Sequence, residues 1–101
     1  MFPFGRFRIA DASMEPSLQA GDYVLAYRWA YRRARPRPGD VVVLRDPVEP
    51  SRLLVKRVSV TGPDDRVVVL GDNRESSRDS RHFGPVDVGA IVGRVVLRTR
   101  A

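Results

Sequence analysis

The chain has 101 residues, 43% apolar and 30% charged, with no cysteine and a single histidine, His82. That suffices for one domain with a modest core and excludes disulfide or thiol redox chemistry and an all-protein zinc site. The net charge of +6 is carried by seventeen arginines and one lysine against twelve acids, but the arginines run from Arg6 to Arg100 without a helix-turn-helix, zinc-finger or aromatic RNA-binding signature, so no nucleic-acid partner is expected.

In chain order, Met1-Phe2-Pro3-Phe4-Gly5-Arg6-Phe7 is too short and interrupted for a secretory signal. A short helical piece is expected around Met14 to Leu18. Strands are expected at Tyr23 to Ala26, Val41 to Leu44, Leu53 to Val60, Arg66 to Leu70 and Ile91 to Leu97, where short β-branched runs recur. Turn residues separate them: Ala20-Gly21-Asp22, Arg37-Pro38-Gly39-Asp40, Thr61-Gly62-Pro63-Asp64 and Gly71-Asp72-Asn73. Arg32 to Pro38 reads as a flexible proline-and-arginine excursion, and Pro85 to Ala90 as a second helical piece. Val55, Val58 and Val60 cannot share one face of a regular strand, which predicts a bend or two-sided burial. The expected fold is mostly β: one small domain, a partly open barrel or coiled sheets with one or two short helices. No apolar run approaches the roughly eighteen residues a spanning helix needs, so the chain reads as soluble and cytoplasmic.

Three constellations carry chemistry. In Ser13-Met14-Glu15-Pro16-Ser17-Leu18 a serine precedes a proline-bounded turn, which can present a hydroxyl and a backbone N–H to one point, as a nucleophile with an oxyanion donor requires. A serine capping a one-turn helix is the simpler alternative. The second is Lys56, the one lysine, inside Leu53-Leu54-Val55-Lys56-Arg57-Val58. Unlike a guanidinium, an ammonium can be neutralised by burial and then act as a base. Desolvation by Leu54, Val55 and Val58 would lower its pKa by some two to three units, enough for a Ser–Lys pair. A solvated strand lysine is the bland alternative. His82 with Asp79 is a rival base, although both fall in a polar loop. The third constellation is that loop, Gly71-Asp72-Asn73 through Ser80-Arg81-His82, which by itself suggests Asx turns and an Asp–Arg ion pair.

Taken in order, the three pieces resemble the signal peptidase I family of Ser–Lys proteases, whose fold is shared with LexA-type repressors. Ser-Met-x-Pro-x-Leu is similar to the family's nucleophile box, Lys56-Arg57-Val58 to its lysine box, and Gly71-Asp72-Asn73 through Ser80-Arg81 to its third box. The likeness covers roughly residues 9 to 98. It implies Ser13 as nucleophile, Lys56 as general base and Ser77 as the hydroxyl orienting the lysine. It further implies Asp79 and Arg81 as a structural ion pair, Asp72 and Asn73 as a shaping turn, and Met14 and Pro16 at the substrate pocket. The implied oxyanion donor is the backbone N–H of Ser13. The implied substrate is a precursor protein with small residues, typically alanine, before the cleaved bond. No metal or cofactor is implied.

Two features depart from the family. Where it has glycine or serine two residues before the nucleophile, this chain has Asp11. A carboxylate would repel an oxyanion, so Asp11 is expected to point elsewhere and leave a backbone-only hole. The usual membrane anchor is also not seen before Ser13, which leaves a single catalytic domain over residues 1–101 and three explanations. These are an anchor lost upstream, peripheral membrane contact through Phe2, Phe4, Phe7 and Arg6, or a soluble maturation protease resembling the compact enzymes that trim nickel superoxide dismutase. An inactive relative, or a self-cleaving LexA-like regulatory module, is the alternative from another class.

Overall fold

Valine-rich runs of four or five residues, ended by Gly-Asp and Pro-Gly turns, bury their side chains and satisfy their backbones by pairing side by side. A computed structural model, which describes residues 2–100, shows that pairing. Met1 and Ala101, the two ends of the expected 1–101 domain, lie outside the described residues. The strands are β1 (Phe4–Arg8), β2 (Tyr23–Tyr27), β3 (Val41–Arg45), β4 (Leu53–Thr61), β5 (Arg66–Leu70), β6 (Val86–Asp87) and β7 (Ile91–Thr99). They form one antiparallel sheet in the order β1-β2-β7-β3-β4-β5-β6, curled into a half-barrel. The mostly-β expectation is met.

Three register shifts curl the sheet, at Leu25/Ala26, Val43/Leu44 and Val58/Val60. Each bulge adds a residue to one strand and bends it. The last is the bend foreseen from the valine spacing: Val58 is buried and Val60 exposed. The core has two parts. Val42, Leu44, Leu54, Val58, Val67, Val69 and Val86 form one; Ile9, Met14, Leu18, Val24, Ala26 and Val43 form the other. β3 serves both, which is why its apolar run does not alternate with polar residues.

Several local expectations differ from the structure. β1 was not foreseen, because Phe-Gly-Arg-Phe-Arg lacks a β-branched run; pairing with β2 makes it a strand. Residues 14–18 make a turn with a cis Glu15–Pro16 peptide, closed by the Leu18 N–H donating to the Met14 carbonyl (2.9 Å). The expected helix at 85–90 divides into β6 and the 3-10 turn Val88–Ala90. Two unforeseen pieces follow Gly71: the 3-10 turn Arg74–Ser76 and the helix α1 (Ser80–Phe83). The 32–38 excursion is tied down, with Pro36 buried and its carbonyl accepting from the Thr61 hydroxyl (2.8 Å).

Candidate active site

β4 places Lys56 by simple alternation. Side chains two apart share a face, so Lys56 stands in the core-facing row Leu54-Lys56-Val58, opposite Val42 of β3. It is only 2% exposed. Burial is the largest influence on its amine and pushes the pKa below the ordinary lysine value. Asp11 and Asp79 pull the other way, and Arg81 adds to the fall.

The amine has a fixed partner. Lys56 Nζ donates to Ser77 Oγ (3.3 Å), and the Ser77 hydroxyl donates to Asp79 Oδ2 (2.8 Å). A hydroxyl has one proton. Having given it to Asp79, Ser77 can only accept from Lys56, which fixes one N–H of the amine and leaves the rest of the nitrogen facing elsewhere. Asp79 is fully buried and also accepts from the Gly71 N–H (2.9 Å), the Arg81 N–H (3.1 Å) and the Arg81 guanidinium (3.0 Å at each oxygen). Burial alone would raise its pKa; these hydrogen bonds outweigh it and hold the carboxyl well below the usual carboxylate range. Gly71 is needed for close approach: a Cβ there would lie 2.0 Å from Ser77 Oγ and 2.7 Å from the Ser13 carbonyl oxygen.

Ser13 is buried, in the turn that leaves β1. It shares a cleft with Lys56, walled by Ile9 and Met14 of one core and Leu54 of the other. The 71–73 turn clips this segment in place: the Asn73 N–H donates to the Ser13 carbonyl (2.9 Å) and Asn73 Nδ2 to the Ala12 carbonyl (3.1 Å). Asp72 accepts from the Ser17 hydroxyl (2.6 Å) and from Arg57 Nε and Nη2 (2.9 Å each), and Arg57 Nη1 reaches the Gly39 carbonyl (2.9 Å). Hydrogen bonds from Arg57 lead the lowering of the Asp72 pKa.

Ser13, Lys56, Ser77, Asp72, Asn73, Asp79 and Arg81 thus converge. Met14 lines the cleft as a core residue, whereas Pro16 is exposed and takes no part in the lining. His82 is not a cleft residue. Its side chain is 56% exposed, and its Nδ1 accepts from the Asp79 N–H (3.3 Å), completing a capping box on α1.

Asp11 does not point elsewhere. The Ser13 N–H donates to Asp11 Oδ1 (3.0 Å). Burial works to raise the Asp11 pKa, but hydrogen bonding to Ser13 and the charges of Lys56 and Arg52 lower it. The sequence reading also missed Asp46. It is fully buried, ion-paired with Arg78 and capped by the Val48 N–H (2.9 Å), and it joins the loop before β4 to the 71–81 segment. An Asp-Pro start to that loop was the available signal.

A family model described as "Signal peptidase, peptidase S26" matches residues 1–67 and 59–99. The mitochondrial ATP-independent inner membrane protease subunit 1b of Arabidopsis thaliana is 37% identical, over 85% of this chain and 64% of its own length. Mitochondrial inner membrane protease subunit 2 of Danio rerio is 33% identical over 86% of this chain and 59% of its own, and subunit 1 of Homo sapiens 31% over 85% and 63%. The chain therefore spans less than two thirds of the length of these relatives. Their names overturn the expected cytoplasmic location. That expectation rested on a missing span; among the described residues no helix is long and apolar enough to cross a membrane, but that is no measure of where a β domain works.

Proposed function

Because the chain belongs to the signal peptidase family, peptidase S26, we propose that it is a membrane-associated endopeptidase that removes an N-terminal signal peptide or pro-segment after a small residue, using Ser13 and Lys56. The observation that carries the reading is the lysine in a core row of β4, held by Ser77 and sharing a cleft with a buried serine. A buried lysine is costly, and it is retained where a neutral amine is useful.

In the proposed reaction neutral Lys56 takes the Ser13 hydroxyl proton as Oγ bonds to the substrate carbonyl carbon. The Ser13 N–H accommodates the oxyanion. Collapse breaks the peptide C–N bond, and Lys56 returns its proton to the departing amine. Water, deprotonated by the same amine, then hydrolyses the acyl-serine and restores Ser13. Ser77 and Asp79 hold the nitrogen in place throughout. Association with a membrane follows the names of the relatives; the exposed Phe2 and Phe4 are this chain's own candidates for contact.

The test is cleavage of a peptide with an Ala-x-Ala site, in detergent, by the wild type, Ser13→Ala and Lys56→Arg. Only the wild type is expected to cut, its rate rising with pH through one transition below 10.5, the ordinary lysine value. Cleavage that survives Ser13→Ala would end the reading.

A further inference from the structure

Asp11 holds the group of Ser13 that the proposed reaction needs for its oxyanion: the backbone N–H, which donates to Asp11 Oδ1 at 3.0 Å. It also lines the cleft with Lys56. The geometry points to Asp11 as an anionic latch that occupies the oxyanion site of the substrate-free chain and must leave it before a peptide bond can be cut. This rests on the Ser13–Lys56 reading.

The physical case has two parts. An oxyanion and a carboxylate cannot share one N–H, because the donor has a single proton and two negative charges at that spacing repel. The substrate carbonyl must therefore displace the carboxylate. The second part concerns the base. The charged groups acting on Lys56 are Asp11 from the turn after β1, and Asp79 and Arg81 from the start of α1. Asp79 and Arg81 are locked to each other by paired hydrogen bonds. Asp11, an exposed residue held by the Ser13 N–H and attracted also by the charge of Arg52, lacks such a lock. While Asp11 lines the cleft its charge opposes the fall in the Lys56 pKa that burial causes. Once it leaves, the amine loses a negative neighbour and its proton becomes easier to release. Docking of substrate and activation of the base are in this way one event, and the positioning residue for both is Asp11.

The single lysine makes this measurable without substrate. In chain labelled with carbon-13 at lysine Cε, one side-chain signal reports Lys56, assigned by its loss in Lys56→Arg. Asp11→Asn keeps an acceptor on the Ser13 N–H and removes the charge; Asp11→Ala removes both. The Lys56 midpoint is expected to fall by about one pH unit in each variant, the scale of a nearby opposite charge. The kcat/KM of Asp11→Ala near pH 7 is expected to rise by about tenfold, with its pH profile moved to lower pH by the same amount as the midpoint. An unmoved midpoint in both folded variants would overturn the latch, as would a lowered midpoint with reduced kcat/KM in both. Cleavage unaffected by Ser13→Ala would instead mark failure of the dyad reading, while the titration still decides whether Asp11 governs the charge on Lys56.

Discussion

Lys56 Nζ and Ser77 Oγ lie 3.3 Å apart with the proton on the lysine side, because the Ser77 proton is committed to Asp79. The contact fixes where the amine points, not whether it is buried. Ser77→Ala is therefore expected to leave the fold and KM intact and to lower kcat by about tenfold to a hundredfold, the cost of a base misplaced by around an ångström. Steady-state kinetics beside a thermal melt checks this. A variant that fell in Tm and kept its kcat would show Ser77 to be packing alone.

The space above Ser77 belongs to Gly71. A methyl group there would collide with both Ser77 and the Ser13 backbone, and backbone atoms do not yield as a flexible side chain does. Gly71→Ala is expected to destabilise the chain by about 1–3 kcal/mol, the usual range for overpacking, and to lose activity beyond what unfolding explains. Urea unfolding and activity at a temperature where the variant is folded separate the two effects.

How much of this was readable beforehand follows from how local each feature is. Strands β2 to β5 and β7 announce themselves because valine runs and turn residues are local signals, and the β4 bulge follows from the spacing of Val55, Val58 and Val60. β1 is made by its partner, so its own five residues say little. The three boxes name Ser13, Lys56 and Ser77, but the depth at which Lys56 lies depends on which face of β4 turns inward, and that is set by β3 and β5. Asp11 was misjudged by reasoning about the oxyanion alone. An aspartate two residues before an N–H commonly folds back onto it, and this local rule, rather than repulsion from an anion not yet formed, governs the resting chain.

The carboxylates of the site predict an acid limb of stability. Asp79, Asp72 and Asp11 all have pKa values below the ordinary 3.8. For a group whose folded value is depressed, the contribution to stability is present above the unfolded value and is lost as pH falls through the folded one. Unfolding by urea, followed through the single tryptophan, Trp29, should show stability level above about pH 5 and falling steadily below 4. In Asp79→Asn the chain should be weaker at pH 7, and its slope below pH 4 smaller by up to about 1.4 kcal/mol per pH unit. A parallel slope in the variant would remove Asp79 from the account.

Lys56 carries the opposite sign. Its folded pKa is lowered, chiefly by burial, so the folded state is penalised when the amine is protonated. That penalty is full below the folded pKa, shrinks as pH rises through it, and is gone above the unfolded value near 10.5. Lys56→Met fills the same row between Leu54 and Val58 without the charge. It should abolish cleavage yet raise Tm at pH 7, by about 4–8 °C for each kcal/mol recovered in a domain of this size. The gain should fade when the melts are repeated towards pH 10. A variant that is less stable than the wild type at pH 7 would mean that the bonds to Ser77 and the attraction of Asp11 and Asp79 outweigh desolvation, and that the amine rests protonated more firmly than a resting base should.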